Sequence, residues 1–138
     1  MPDCIRATDL WKTHVRRGVL GRTRVAALKG VSVAVPQGKT LGIVGESGAG
    51  KSTLARALLY LDPPDAGTVT VGDVDLGRIS KRELRRMRPR LGIVFQDPNS
   101  SLNPRLTVGA SIEEALLQHM RRRGARRERV GELLTQVG

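Results

Sequence analysis

One cysteine, Cys4, in 138 residues rules out an internal disulfide and a thiolate metal cluster, which fits a reducing cytoplasm. His14 and His119 are the only histidines, too few for a histidine-based site. The aromatic set is Trp11, Tyr60 and Phe95, which leaves no stacking platform for single-stranded nucleic acid. No apolar run approaches the roughly 20 residues that span a bilayer, and the first six residues lack the apolar stretch of a signal peptide. The chain is therefore expected to be soluble or peripheral. Acidic residues are also scarce, 13 against 24 basic ones, for a net charge of +11. Such a balance favours anionic partners. The arginines, however, fall mainly in residues 81–90 and 121–129, both of helical character, where charges form a solvated face. Nucleic acid is not expected as a partner, and attraction to acidic lipid head groups is the stronger of the two expectations.

What is present is concentrated in residues 45–53, which read Gly-Glu-Ser-Gly-Ala-Gly-Lys-Ser-Thr. Gly45, Gly50, Lys51 and Ser52 fill the pattern G-x-x-x-x-G-K-[ST] of a phosphate-binding loop. The chemistry explains the residue types. Glycines at 45, 48 and 50 allow backbone turns that aim successive N–H groups at a phosphate chain. Lys51 carries a mobile charge to the β- and γ-phosphates, and the Ser52 hydroxyl is suited to Mg²⁺. Glu46, Ser47, Ala49 and Thr53 complete the cradle. An apolar run over 40–44 precedes the loop, and Leu54, Leu58 and Leu61 recur at helical spacing after it. A bare Gly/Ser-rich turn has no need of this strand, loop and helix order, in which the helix N-terminus also favours anions. The ligand implied is a nucleoside triphosphate with Mg²⁺.

The length corresponds to one domain. Val31, Val33 and Val35 alternate ahead of a turn at Pro36-Gln37-Gly38-Lys39, after which the chain enters the strand expected at 40–44. A hairpin is expected across Gly72-Asp73, between Val69 and Val71 on one side and Val74 and Leu76 on the other. Ser80 with Glu83 three residues on forms a capping box for a short basic helix ending at Met87, and residues 91–95 read as another buried strand. Residues 97–104, rich in turn formers, read as an ordered loop. Val108, Ile112, Leu116 and Met120 then mark one helix, and Val130, Leu133, Leu134 and Val137 a second, joined by a basic stretch around Gly124. There is no internal repeat.

With the phosphate loop, the hairpin, Val94-Phe95-Gln96 and the polar loop in that order, the chain resembles the ATP-binding subunits of ABC transporters from about Ile5 onward. Residues 27–32, 45–48 and above all 94–105 are similar to the branch that serves dipeptide, oligopeptide and nickel importers. The resemblance implies an α/β fold: a P-loop core with an antiparallel β element over about 1–105, and the start of a helical subdomain over about 106–138. It implies that Lys51 and Gln96 are catalytic, Gln96 reaching toward Mg²⁺ and the attacking water, so that Ser52 and Gln96 are the metal-facing pair. An aromatic that stacks on adenine corresponds to His14, while Trp11, slightly earlier, offers the better stacking surface. Implied partners are transmembrane permease subunits, a second ATP-binding subunit, identical or different, and indirectly a solute-binding protein, at the cytoplasmic face of the membrane. The family's L-S-G-G-Q signature, Walker B carboxylates and switch histidine are not found in these 138 residues. The alternative expectation is a truncated fragment that binds nucleotide without hydrolysing it.

Overall fold

The computed structural model describes residues 3–18, 21–97, 102–117 and 120–138, which form two compact units, Met1–Gly92 and Ile93–Gly138. The first unit opens with two long strands, β1 (Asp3–Gly18) and β2 (Gly21–Pro36), paired antiparallel from Asp3↔Pro36 to Gly18↔Gly21. β3 (Ala66–Val71) pairs antiparallel with β1, and β4 (Val74–Asp75) with β3, in the order β2-β1-β3-β4. The hairpin expected across Gly72 is present, with Gly72 at φ 56°, a left-handed conformation that glycine adopts without a Cβ clash. The turn at 36–39 is also present, closed by the Lys39 N–H donating to the Pro36 carbonyl at 3.1 Å.

Helix α1 (Lys51–Leu58) leaves the phosphate loop and buries Leu54 and Ala57. It ends where Tyr60 adopts φ 54°, so Leu61 falls outside the helix and is exposed. The Arg88 guanidinium closes this end, donating to the Leu59 carbonyl at 2.6 Å and the Tyr60 carbonyl at 2.9 Å. Leu54 and Ala57 join Ala7, Leu10, Leu28, Val69 and Leu76 in one core between α1 and the sheet. Helix α2 (Lys81–Met87) starts at the capping box expected from sequence: Ser80 Oγ accepts from the Glu83 N–H, and Glu83 Oε2 accepts from the Ser80 N–H at 2.8 Å. A 3₁₀ turn over Arg88–Arg90 follows.

Two expected strands differ from the structure. Residues 40–44 and 91–95 form no ladder, and Leu41, Ile43, Val44, Ile93, Val94 and Phe95 are exposed. An apolar run of this kind becomes a strand only when neighbours satisfy its N–H and C=O groups and cover both faces. Among the described residues every ladder is antiparallel and none reaches these runs.

In the second unit α3 (Val108–Leu116) is capped by Thr107, whose Oγ1 accepts from the Ala110 N–H at 3.2 Å. It packs with α4 (Arg123–Val137), which already includes Gly124. Arg126 is buried, although its segment reads as a solvated basic face. Its side chain donates to the Met120 and Arg121 carbonyls at 2.8 and 3.0 Å and lies 3.4 Å from Glu113 Oε1, so the charge is paired rather than stranded.

Candidate nucleotide-binding site

Residues 45–50 form a loop that turns directly into α1, whose first turn carries Lys51, Ser52 and Thr53. Gly48 and Gly50 have φ 86° and 88°, left-handed values that a side chain would strain. At Gly50 a Cβ would lie 2.4 Å from the Ala27 carbonyl oxygen of β2, so the loop end sits against the sheet with no room for a larger residue. Gly50 is also the N-cap of α1 and provides no capping side chain. The N–H groups of the first turn therefore have no partner inside the helix and are available to an anion. Lys51 Nζ reaches back across the loop and donates to the carbonyls of Gly45 at 2.7 Å and Glu46 at 2.6 Å. The ammonium is thus held over the ring of backbone that a phosphate chain would enter. Ser52 is exposed at the mouth, and Thr53 is half-buried.

The first strand places His14 and Trp11 differently. Ala7 is buried on the odd-numbered phase of β1, but Leu10 is buried on the even phase, because the register slips between them where Asp9 takes φ 51°. This is a β-bulge, which re-aims the strand beyond it. Past the bulge Lys12 and His14 point to the packed side and Trp11, Thr13 and Val15 are exposed. His14 Nε2 lies 3.3 Å from Thr53 Oγ1, a hydrogen bond to the phosphate-loop helix. Trp11 donates from Nε1 to Asp9 Oδ1 at 3.0 Å, and its ring lies beside Gly30, so it is fixed on the other face. Asp9 carries no motif; a left-handed aspartate is a weak signal in a sequence.

Lys12 anchors this part of β1, a role the sequence does not disclose. Its Nζ donates to the Pro63 carbonyl at 2.5 Å and pairs with Asp62 at 2.6 Å and Asp65 at 3.6 Å. The Asp62 hydrogen bond is the main reason that the Lys12 pKa is raised. Asp65 Oδ2 in turn accepts from the Thr13 N–H at 2.7 Å, so the turn after α1 grips the strand that carries His14.

Gln96 is exposed in a bend and belongs to the second unit, whereas the phosphate loop lies in the first. Residues 98–101 of the loop that follows it lie outside the described residues. Among the described residues no group of three or more His, Cys, Asp or Glu side chains could hold a metal ion, and no helix is long and apolar enough to cross a membrane.

The ABC transporter family matches residues 28–138. The chain is 42% identical over 141 residues to the di/tripeptide transport ATP-binding protein DppF of Pseudomonas aeruginosa, a match that takes in all of this chain and 44% of that protein. It is 49% identical over 116 residues to a probable peptide ABC transporter ATP-binding protein of Sinorhizobium fredii, covering 83% of this chain and 33% of the relative. The chain thus spans less than half the length of these curated relatives. Among solved structures it is similar to the dimeric ATP-binding cassette MJ0796 in a post-hydrolysis state bound to ADP and Pi, with a TM-score of 0.75 and 31% identity over 95% of this chain and 56% of that one. The match by sequence and by structure covers the phosphate loop, and the chain belongs to the ABC transporter family.

Proposed function

We propose that this chain is the nucleotide-binding part of the ATP-binding subunit of an importer for peptides or a similar small solute, in which ATP binding and hydrolysis drive transport. The observation that carries the reading is the loop itself: left-handed glycines at 48 and 50 lead into α1, with Lys51 Nζ across the opening. The Lys51 ammonium would exchange the Gly45 and Glu46 carbonyls for β- and γ-phosphate oxygens, neutralising charge where it develops. Backbone N–H groups of residues 48–53 would hold the phosphate chain. Mg²⁺ would be held by the Ser52 hydroxyl and anionic phosphate oxygens, with the Gln96 side-chain oxygen as the family resemblance implies, a hard-oxygen set suited to an ion that keeps several waters. His14, tied to Thr53, is proposed to carry the adenine.

In the whole protein, residues 106–138 begin the helical subdomain, Gln96 orients water and relays nucleotide state, and the partners are permease subunits at the cytoplasmic face and a second ATP-binding subunit. The relatives named as peptide transport ATP-binding proteins support the solute class. The test is calorimetry with Mg-ATP. Lys51→Ala is expected to weaken binding by about tenfold to a hundredfold, since a charge-assisted contact to phosphate contributes roughly 1.5–3 kcal/mol. Equal affinities would overturn the reading.

A further inference from the structure

Between Leu10 and Gly45 the sequence has no acidic residue and seven basic ones. This stretch contains the far end of the β1–β2 ladder. β3 pairs with β1 only as far as Trp11↔Ala66, and the His14–Thr53 bond fastens the ladder to α1 just beyond. From there to Gly18↔Gly21 the two strands run on as a ribbon that, among the described residues, no third strand joins. Its register sets Arg17 opposite Arg22, Arg16 opposite Thr23 and Val15 opposite Arg24. Like charges directly opposite one another destabilise an antiparallel pair, and a two-stranded ribbon in water is marginal already. Among the described residues neither Arg22 nor Arg24 has an ion pair. Val15, 53% exposed, lies directly opposite Arg24 and so shares its face, whereas Val25 pairs with His14 on the other face. At the foot of the ribbon a groove of about 520 Å³ is lined by Thr13, Val15, Arg24, Ala26 and Asp65. The Asp65 carboxylate is engaged by the Thr13 N–H and Lys12, which leaves Arg24 as the uncompensated charge of that groove.

We propose that the basic ribbon at the end of β1–β2 is a docking surface for anionic lipid head groups. Arg24 and Arg22 would take the head-group phosphates, and exposed Val15 beside them would lie against the glycerol and upper acyl region. A face that sets arginines beside an exposed β-branched residue suits an interface that is anionic outside and apolar beneath. Nucleic acid offers the same phosphates, but the ribbon has no aromatic side chain for its bases, and Trp11 is held on Asp9. The proposal rests on the membrane-peripheral reading above, so nucleotide affinity is measured in parallel.

The experiment is flotation of the full-length protein with vesicles of phosphatidylglycerol and phosphatidylcholine in equal parts, and with phosphatidylcholine alone. Wild type is expected to float with the anionic vesicles only, less so at raised salt. The R22E/R24E variant should lose at least about 25-fold in affinity, roughly fivefold for each arginine. The milder R22Q/R24Q variant should show a smaller loss in the same direction, with Mg-ATP affinity unchanged. Binding of wild type to neither vesicle overturns the proposal, as does equal binding of wild type and R22Q/R24Q. Tighter binding to a mixed-sequence DNA duplex than to the anionic vesicles, lost in the same variants, reassigns the ribbon to nucleic acid. A fall in Mg-ATP affinity in R22Q/R24Q would place these arginines in the nucleotide site instead and overturns it as well.

Discussion

Thr53 sits one residue beyond the Lys51-Ser52 pair and accepts or donates the hydrogen bond that holds His14 3.3 Å away, so the residue proposed to face the base is joined to the phosphate-loop helix. His14→Ala is therefore expected to weaken nucleotide binding by on the order of 1 kcal/mol, the usual worth of a base stacked on a ring. Trp11→Ala should leave affinity unchanged, because the indole is held on Asp9 away from α1. Titration of both variants with Mg-ATP checks this; a loss confined to Trp11→Ala would reverse the assignment. The phosphate loop was readable from sequence because its chemistry is contiguous: the residues that hold a phosphate chain are neighbours in the chain. The choice between His14 and Trp11 was not. Phase along a strand is legible only while the period of two holds, and the bulge at Asp9 shifts it by one residue just ahead of both candidates.

At the level of elements, the capping box of α2, the turn at 36–39 and the hairpin at Gly72 appear where local sequence puts them, since each is specified by side chains within four residues of itself. The apolar runs at 40–44 and 91–95 do not become strands, because a strand is specified by its neighbours as well as by its own pattern. Lys12 shows the same dependence on distant partners. Its side chain is only 12% exposed and bridges β1 to the turn after α1. Lys12→Met is expected to lower stability by about 1–2 kcal/mol, a value held down by the partial solvation of Asp62 and Asp65. The Lys12 pKa is raised in the folded state, so this contribution is fully present below the ordinary value of 10.5 and is lost only as pH rises through the higher folded value. Denaturant melts of wild type and Lys12→Met should differ by a constant amount from neutral pH up to that region. A difference that closes near neutral pH would show that packing, not the charge, holds the turn. Glu83 has the opposite sign: its hydrogen bonds with Ser80 lower its pKa, so its support for α2 is present above the ordinary carboxylate value and fades as pH falls through the depressed one.

At the scale of the whole molecule, the binding loop and Gln96 fall in different compact units. The phosphate loop needs only the first unit, whose core of α1 and the antiparallel sheet seats Gly50 against Ala27. Hydrolysis needs more: a group to place the attacking water and a carboxylate near Mg²⁺. The chain spans 44% of the length of the DppF relative, so the 138-residue chain purified alone is expected to bind Mg-ATP with little or no turnover, and a chain of the relatives' length is expected to turn over. Steady-state phosphate release by the short chain, abolished by Lys51→Ala so that contamination is excluded, would count against this division of labour.

Coupling follows from the same separation. Gln96 is exposed in a bend, and its proposed role is to sense nucleotide while contacting the permease. A ligand biases two permease states only by its differential affinity for them, so a residue that relays the difference can be removed without loss of binding itself. Gln96→Ala in the full-length subunit is expected to lower Mg-ATP affinity by no more than about tenfold, since a single neutral hydrogen bond contributes roughly 0.5–1.5 kcal/mol and this one is not part of the phosphate cradle. Transport and transport-stimulated hydrolysis should fall much further. Site-directed crosslinking locates the contact: a cysteine at exposed Asn103, with Cys4 replaced beforehand, should join the permease in membranes, and the yield should change when Mg-ATP is added. Loss of ATP binding in Gln96→Ala equal to the loss of transport would make Gln96 a binding residue rather than a relay. Absence of a crosslink, with a control cysteine on the permease still reactive, would remove this loop from the interface.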